Sequence, residues 1–249
     1  MSKAQSIDET GTIDLSHELV VAELFTSLQG EGLRAGRVCT FIRLAGCNLS
    51  CTWCDTTYAW QPGHVAPGAW QSLDLAAIVD HAERSGASLC EVTGGEPLLQ
   101  AAVPELLVLL CDRGFEVILD TSGSVDVSGV DPRVTLALDL KCPASGQTPR
   151  MVWSNVGLLK PGRDEVKFVI ADRADFEWAR NVADRYDLWD RFSVIFSPVT
   201  PLDFTGDTSR WPLPAQLARW MLAERTRATL QLQLHRLLWP SALRGTDEG

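Results

Sequence analysis

Short apolar runs of strand type alternate with amphipathic runs of helix type along most of this chain, and that alternation restricts the fold more than any other feature. Glu18 to Ser27 and Arg37 to Ala45 are rich in Val, Leu, Ile and Phe, and the glycine-containing stretch Leu28 to Gly36 reads as the loop between two neighbouring strands. Ser72 is expected to cap a helix with Leu75, Ile78, Val79 and Ala82 on one face and Gly86 at its end. Strand Ser88 to Thr93 follows, then a helix that buries Leu99, Val103, Leu106, Leu107 and Leu110 and stops at Gly114. Strands are predicted at Phe115 to Asp120, Val134 to Asp139 and Glu165 to Ile170, then a helix from Arg173 to Tyr186 with Phe176, Ala179, Val182 and Ala183 inward. Strand Phe192 to Phe196, a Pro-rich loop from Ser197 to Pro214, a helix around Leu217, Trp220 and Met221, and strand Thr229 to Leu234 complete the set.

Such alternation implies an α/β fold, a parallel sheet covered by helices. About six units fall short of the eight that close a barrel. The expected architecture is an open, partial parallel β/α barrel of about six strands with an N-terminal strand extension. One domain over residues 18–240 is expected, with mobile ends at 1–17 and 241–249.

Charge and composition narrow the partners. With 22 Lys+Arg against 32 Asp+Glu the chain carries −10, which disfavours a phosphate backbone or an anionic membrane surface as its main partner. The longest apolar run, Leu106 to Cys111, is far too short to span a bilayer, and residues 1–17 show no signal-peptide core. Seven cysteines is an odd number in a chain too large for a disulfide scaffold, so a reducing cytoplasm is expected.

Cys39, Cys90, Cys111 and Cys142 are scattered, whereas Cys47, Cys51 and Cys54 are spaced Cys-x3-Cys-x2-Cys. Three thiolates so close converge on one centre only if the backbone loops around it. Zinc is one occupant, with His64 as the available fourth ligand, and core filling is another reading. A set of three without a fourth suggests instead a four-iron cluster with one iron left open to a ligand.

That spacing, with Trp53 before the third cysteine and the loop directly after a strand, is identified with the radical S-adenosylmethionine (SAM) superfamily. There the open iron chelates the methionyl group of SAM, and one electron cleaves SAM to a hydrogen-abstracting 5′-deoxyadenosyl radical. Thr93-Gly94-Gly95-Glu96-Pro97 lies between a predicted strand and a helix and resembles the superfamily's glycine-rich SAM motif; alone it would read as a plain turn. Polar residues recur at predicted strand ends, at Thr93, Asp120 to Ser122, Asp139 to Lys141, Ser197 and Gln233 to His235, on the edge where parallel α/β sheets bind ligands.

Phe25 to Gly32, Phe41 to Cys47, Cys54-Asp55-Thr56, Asp120 to Gly123 and Gln233 to Trp239 closely resemble the 7-carboxy-7-deazaguanine synthase family, over nearly the whole chain. The resemblance implies conversion of 6-carboxy-5,6,7,8-tetrahydropterin to 7-carboxy-7-deazaguanine by radical ring contraction with loss of ammonia, in queuosine-type 7-deazapurine synthesis. It implies a 4Fe-4S cluster on Cys47, Cys51 and Cys54, SAM held by Trp53, Asp55, Gly95, Glu96, Ser122, Asp139, Leu140, Lys141 and Ser197, and Mg2+ on Thr56. Substrate contacts are implied at Leu28, Gln29, Gly30, Arg43, Thr93 and Pro240. No side chain beyond the cluster and the SAM radical is implied as catalytic. A homodimer and a flavodoxin- or ferredoxin-type electron donor complete the expected partners.

The residues themselves support parts of this. Arg43 is a lone cation in an apolar strand, and burial without a partner is costly; a substrate carboxylate would satisfy it, as would an internal Asp or Glu. Thr56 offers the hard oxygen that magnesium accepts, or a loop-stabilising hydroxyl. Asp139-Leu140-Lys141 and Ser197-Pro198 depart from the family's usual Ser-Pro-Lys and Gln-Pro, and Lys141 and Lys167 also fit surface positions. Two other functions fit the cysteine spacing or count: an activating protein that installs a glycyl radical on a larger enzyme, and a zinc-stabilised binding module.

Overall fold

In a computed structural model, residues 17–60 and 69–240 are described; of the ends expected to be mobile, 1–17 and 241–249, all but His17 lie outside them, as does His64. Among the described residues nine strands form one sheet in the order β3-β1-β2-β4-β5-β6-β7-β8-β9. Strand β1 (Glu18–Leu28) runs antiparallel to β2 (Val38–Leu44), with Phe25 opposite Phe41 and their rings stacked at 4.9 Å. Beyond β2 the pairing is parallel throughout, through β4 (Leu89–Gly94), β5 (Glu116–Thr121), β6 (Thr135–Asp139), β7 (Glu165–Ile170), β8 (Ser193–Pro198) and β9 (Thr229–Leu230). These strands form an open, partial barrel with an N-terminal antiparallel extension, as expected.

The helices cover the outside. In α1 (Leu75–Ser85), Leu75, Ile78, Val79 and Ala82 are buried, and in α3 (Arg173–Arg185), Phe176, Ala179, Val182 and Ala183 are. Helix α2 (Val103–Asp112) adds Leu106, Leu107 and Leu110. Each of the Leu, Ile, Val and Phe side chains contributes roughly 1.5–3 kcal/mol by leaving water, and each alanine methyl less. A smaller cluster of Cys39, Phe41, Leu89, Ile118 and Ala137 fills the barrel interior, so polar groups gather above it toward the strands' C-terminal ends. Cys39, Cys90 and Cys142 are buried thiols and Cys111 is half-buried, all free.

Four local expectations are corrected. The α1 cap is Asp74, whose Oδ1 accepts from Ala77 N at 2.7 Å. Ser72 instead lies in a short edge strand, β3 (Gln71–Asp74), antiparallel to β1, whose lone apolar residue Leu73 left no strand pattern to read. Leu99 is 46% exposed, because a 3-10 turn over Pro97–Leu99 precedes α2. Only Thr229–Leu230 of the predicted last strand is paired as strand; Gln231 N makes one last bond to Phe196 O at 3.0 Å while its Nε2 donates to Gly32 O at 2.9 Å, and Leu234–Leu238 form a short helix, α5. Between β6 and β7 three 3-10 turns stand in place of a crossover helix. Helix α4 (Leu213–Ala223) lies where expected.

Candidate active site

The cysteine loop leaves β2 through Gly46, whose φ of +95° favours glycine. It is braced from three sides. Gly46 N donates to Ala59 O at 2.8 Å, and Thr52 Oγ1 donates to Ala144 O at 2.9 Å. On the third side Gly94, the last residue of β4, presses on the end of β2 and Gly95 on the loop itself: a Cβ on Gly94 would lie 2.3 Å from Leu44 O, and one on Gly95 would lie 2.2 Å from Gly46 O and 2.7 Å from Cys47 Cβ. The paired glycines therefore allow two loops of the protein to touch. Glu96 N completes the contact by donating to Gly46 O at 2.9 Å.

The three thiols face one cavity of about 270 Å³. Two accept hydrogen bonds from nitrogen: Cys47 Sγ from Leu49 N at 3.4 Å and Cys54 Sγ from Trp60 Nε1 at 3.1 Å. Burial pushes the Cys47 thiol up and the Cys51 thiol to about 11, despite the opposing charge of Lys141. Thiols held neutral by burial ionise when a metal binds them. No group of three or more His, Cys, Asp or Glu among the described residues is gathered as a site for a single metal ion. Three unpaired thiols on one cavity, two with N–H donors to sulfur, fit a multi-iron cluster whose thiolates each take a different iron.

The cavity opens at the C-terminal ends of the parallel strands. Of the residues singled out from the sequence, Leu28, Gln29, Gly30, Arg43, Trp53, Asp55, Thr56, Thr93, Gly95, Ser122, Asp139, Lys141 and Ser197 line it together with the three cysteines. Three do not. Glu96 is fully buried and turns into the protein, where it accepts from Leu98 N, Thr121 Oγ1 and both Ser122 N and Oγ. Leu140 belongs to the outer core, because alternation along β6 turns it away from its neighbours Asp139 and Lys141. Pro240 sits against Gly206, where an added Cβ would meet its ring at 3.2 Å, and Trp239 reaches the cavity instead.

Arg43 has the internal partner that competed with a ligand: Glu23 Oε2 accepts from its Nε at 3.0 Å, and Tyr58 OH donates to the same oxygen at 2.6 Å. The terminal Nη atoms have no hydrogen-bond partner among the described residues, so the outer edge of the guanidinium remains for a ligand. Lys141 and Lys167 are not surface charges. Lys141 Nζ lies 2.8 Å from Asp139 Oδ2, and Lys167 Nζ lies 3.0 Å from Glu31 Oε2, 3.7 Å from Asp139 and 4.0 Å from Asp120.

Glu31, Glu91 and Lys167 line the cavity, and the sequence reading did not assign them to the site. A signal was present: Glu91 stands alone as a charge within the apolar run Leu89 to Thr93, as Arg43 does in β2, and Glu165 and Lys167 share one face of β7 by the two-residue period. Their environments separate them. Burial would raise Glu31, but Lys167, His235 and a hydrogen bond from Gln233 bring it down to about 2. Burial, then the Asp120 carboxylate, pushes Glu91 up to about 8.

The model of the radical SAM superfamily matches residues 41–138. A protein of Chlorobaculum tepidum named 7-carboxy-7-deazaguanine synthase is 40% identical over 229 residues, covering 91% of this chain and 97% of its own. One of the same name from Koribacter versatilis is 38% identical over 90% of this chain and 99% of its own. Among solved structures, QueE from Escherichia coli superposes with a TM-score of 0.67 at 22% identity, covering 87% of this chain and 94% of that one, a likeness of fold.

Proposed function

Because this chain belongs to the 7-carboxy-7-deazaguanine synthase family of the radical SAM superfamily, we propose that its cavity contracts the ring of 6-carboxy-5,6,7,8-tetrahydropterin to 7-carboxy-7-deazaguanine with loss of ammonia. It is a radical SAM enzyme of 7-deazapurine synthesis, a carbon–nitrogen lyase. Cys47, Cys51 and Cys54 would hold the 4Fe-4S cluster, and the cluster with SAM supplies one-electron cleavage to a hydrogen-abstracting radical.

The protein's own part is positioning, and one observation carries it. Lys141 and Lys167 are each engaged by carboxylates, whereas Arg43 keeps its outer edge toward the cavity. A substrate carboxylate suits that edge in a two-point, charge-assisted pair. Glu23 and Tyr58 hold the guanidinium from behind, and Tyr58 lies two residues past Thr56 in the segment that follows Cys54. Thr56 Oγ1 would offer magnesium an oxygen there, 3.6 Å from Cys54 Sγ. A bound carboxylate would thus be fixed relative to the cluster loop, and fixed geometry is where large rate factors arise.

SAM would lie along Trp53, Asp55, Gly95, Ser122, Asp139, Lys141 and Ser197. We assign a homodimer and a flavodoxin- or ferredoxin-type donor on the same footing. No helix among the described residues is long and apolar enough to cross a membrane. The free thiols and an oxygen-sensitive cluster favour a reducing compartment, and on that ground we propose the cytoplasm. The test is anaerobic reconstitution with SAM, magnesium, reductant and the carboxypterin. Deazapurine with SAM regenerated is expected. SAM cleavage without deazapurine would refute the assignment, and one SAM consumed per partner protein would point to a glycyl-radical activator.

A further inference from the structure

Glu91 is a carboxyl in an apolar layer. On β4 it stands in register between Phe41 and Ile118, both members of the inner apolar cluster. Burying a carboxyl there is costly, and a hydrophobic residue would suit the fold better. Among the described residues, unlike Asp120 and Asp139, it has no lysine within salt-bridge distance, and the one hydrogen-bond partner of its side chain is Gln29.

Gln29 is held at both ends of its amide. Glu31 N donates to Oε1 at 3.1 Å, and Nε2 donates to Glu91 Oε2. A main-chain N–H only donates, so the first bond identifies the oxygen end; the carboxyl of Glu91 accepts from the nitrogen end. The side chain lines the cavity, and each end keeps one further hydrogen-bonding valence. Gln29 therefore presents an acceptor and a donor in a set order.

We propose that Glu91 is a positioning residue that locks the orientation of the Gln29 amide, so that the cavity selects a ring edge with an N–H beside a carbonyl. This rests on the pterin reading of the site. The N3–H and C4=O of a 4-oxo pterin match an amide that accepts and then donates. A 4-amino pterin presents a ring-nitrogen acceptor and an amino donor, the reverse order. To bind it while Glu91 is ionised and can only accept, Gln29 would have to turn over and break both bonds at once; a protonated Glu91 could donate to the turned amide. With Glu91→Gln the turn breaks only the bond to Glu31 N, because Gln at position 91 can itself turn and serve either end. A carboxyl is thus kept at an apolar position for the selectivity it confers, since a buried site tuned to one hydrogen-bonding pattern rejects the wrong one strongly.

The experiment is calorimetric binding, at about pH 9 so that Glu91 is ionised, of the carboxypterin and its 2,4-diamino counterpart to anaerobic holoenzyme with SAM and an unreduced cluster, so that nothing turns over. Wild type should prefer the 4-oxo ligand. In Glu91→Gln the ratio should fall about tenfold, mainly by tighter binding of the diamino ligand, the equivalent of one hydrogen bond no longer broken. Glu91→Met, which has no bonding capacity at the same length, should show the same fall, and thermal melting establishes that each variant is folded. An unchanged ratio in the folded variants overturns the proposal, as does equal weakening of both ligands or a wild type without preference. Turnover by wild type is read separately: no deazapurine refutes the function, whereas deazapurine with an unchanged ratio refutes only the role of Glu91.

Discussion

Gly95→Ala tests how the cluster loop is held. The added methyl carbon would lie 2.2 Å from Gly46 O and 2.7 Å from Cys47 Cβ, roughly 1 Å inside ordinary contact. Neither neighbour is the end of a flexible side chain. Overpacking of this kind costs about 1–3 kcal/mol. Separating the loops also strains two main-chain bonds, Gly95 N to Leu44 O at 3.2 Å and Glu96 N to Gly46 O at 2.9 Å, each worth about 1 kcal/mol. The sum, about 3–5 kcal/mol, lowers the melting temperature of a chain this size by roughly 10 °C. Because Cys47 moves with Gly46, iron bound per protein after anaerobic reconstitution should fall as well. Gly129→Ala is the control: nothing lies within 4 Å of its Cβ position, and its backbone needs no left-handed φ, so it should match or slightly exceed wild type. If Gly95→Ala melts with that control and takes up the same iron, the packing argument is wrong.

Arg43→Lys keeps the charge but removes the planar fork. It should raise KM for the carboxypterin about 10- to 100-fold, the worth of a charge-assisted bond, and leave binding of a decarboxylated analogue unchanged; equal loss on both ligands would remove the carboxylate from that site. Trp60→Phe deletes the N–H donor 3.1 Å from Cys54 Sγ, and the cluster's midpoint potential, followed by electron paramagnetic resonance, should become more negative. Glu91 should show in the pH dependence of stability. Its folded value, raised by burial and by Asp120 to about 8, means that the native state holds the proton more tightly than the unfolded chain. The stability it contributes is present below about pH 4.5 and is lost as pH rises through about 8, so the melting curve of Glu91→Gln should be flatter than wild type across that window. Parallel curves would refute the shift.

The strands carrying dense apolar runs were legible, because burial on both faces leaves a continuous hydrophobic signature; β4, β6, β7 and β8 start and stop within a residue or two of expectation. Helix α3 was legible from its period. Strand β3 was not, since a four-residue edge strand with one apolar side chain is held by its neighbour's ladder and not by its own pattern. The last strand misled for a related reason: past Gln231 the ladder stops, the side chains of Gln231 and Gln233 bond to Gly32 and Glu31 about two hundred residues away, and Leu234 begins a short helix.

What the sequence by itself determined is the chemistry at short range: three cysteines at loop spacing, the glycine pair after a strand, a lone arginine in an apolar run. Each of these is local, and all line the cavity. Which carboxylate meets which cation was decided only by the tertiary structure. Lys167 gathers Glu31, Asp120 and Asp139 from three different elements, Glu23 takes one edge of Arg43 and leaves the other, and Glu96, adjacent to the glycines, turns inward to cap its own loop. Charge pairing in a buried site depends on distances across strands, and sequence separation carries no record of those distances until the sheet has formed.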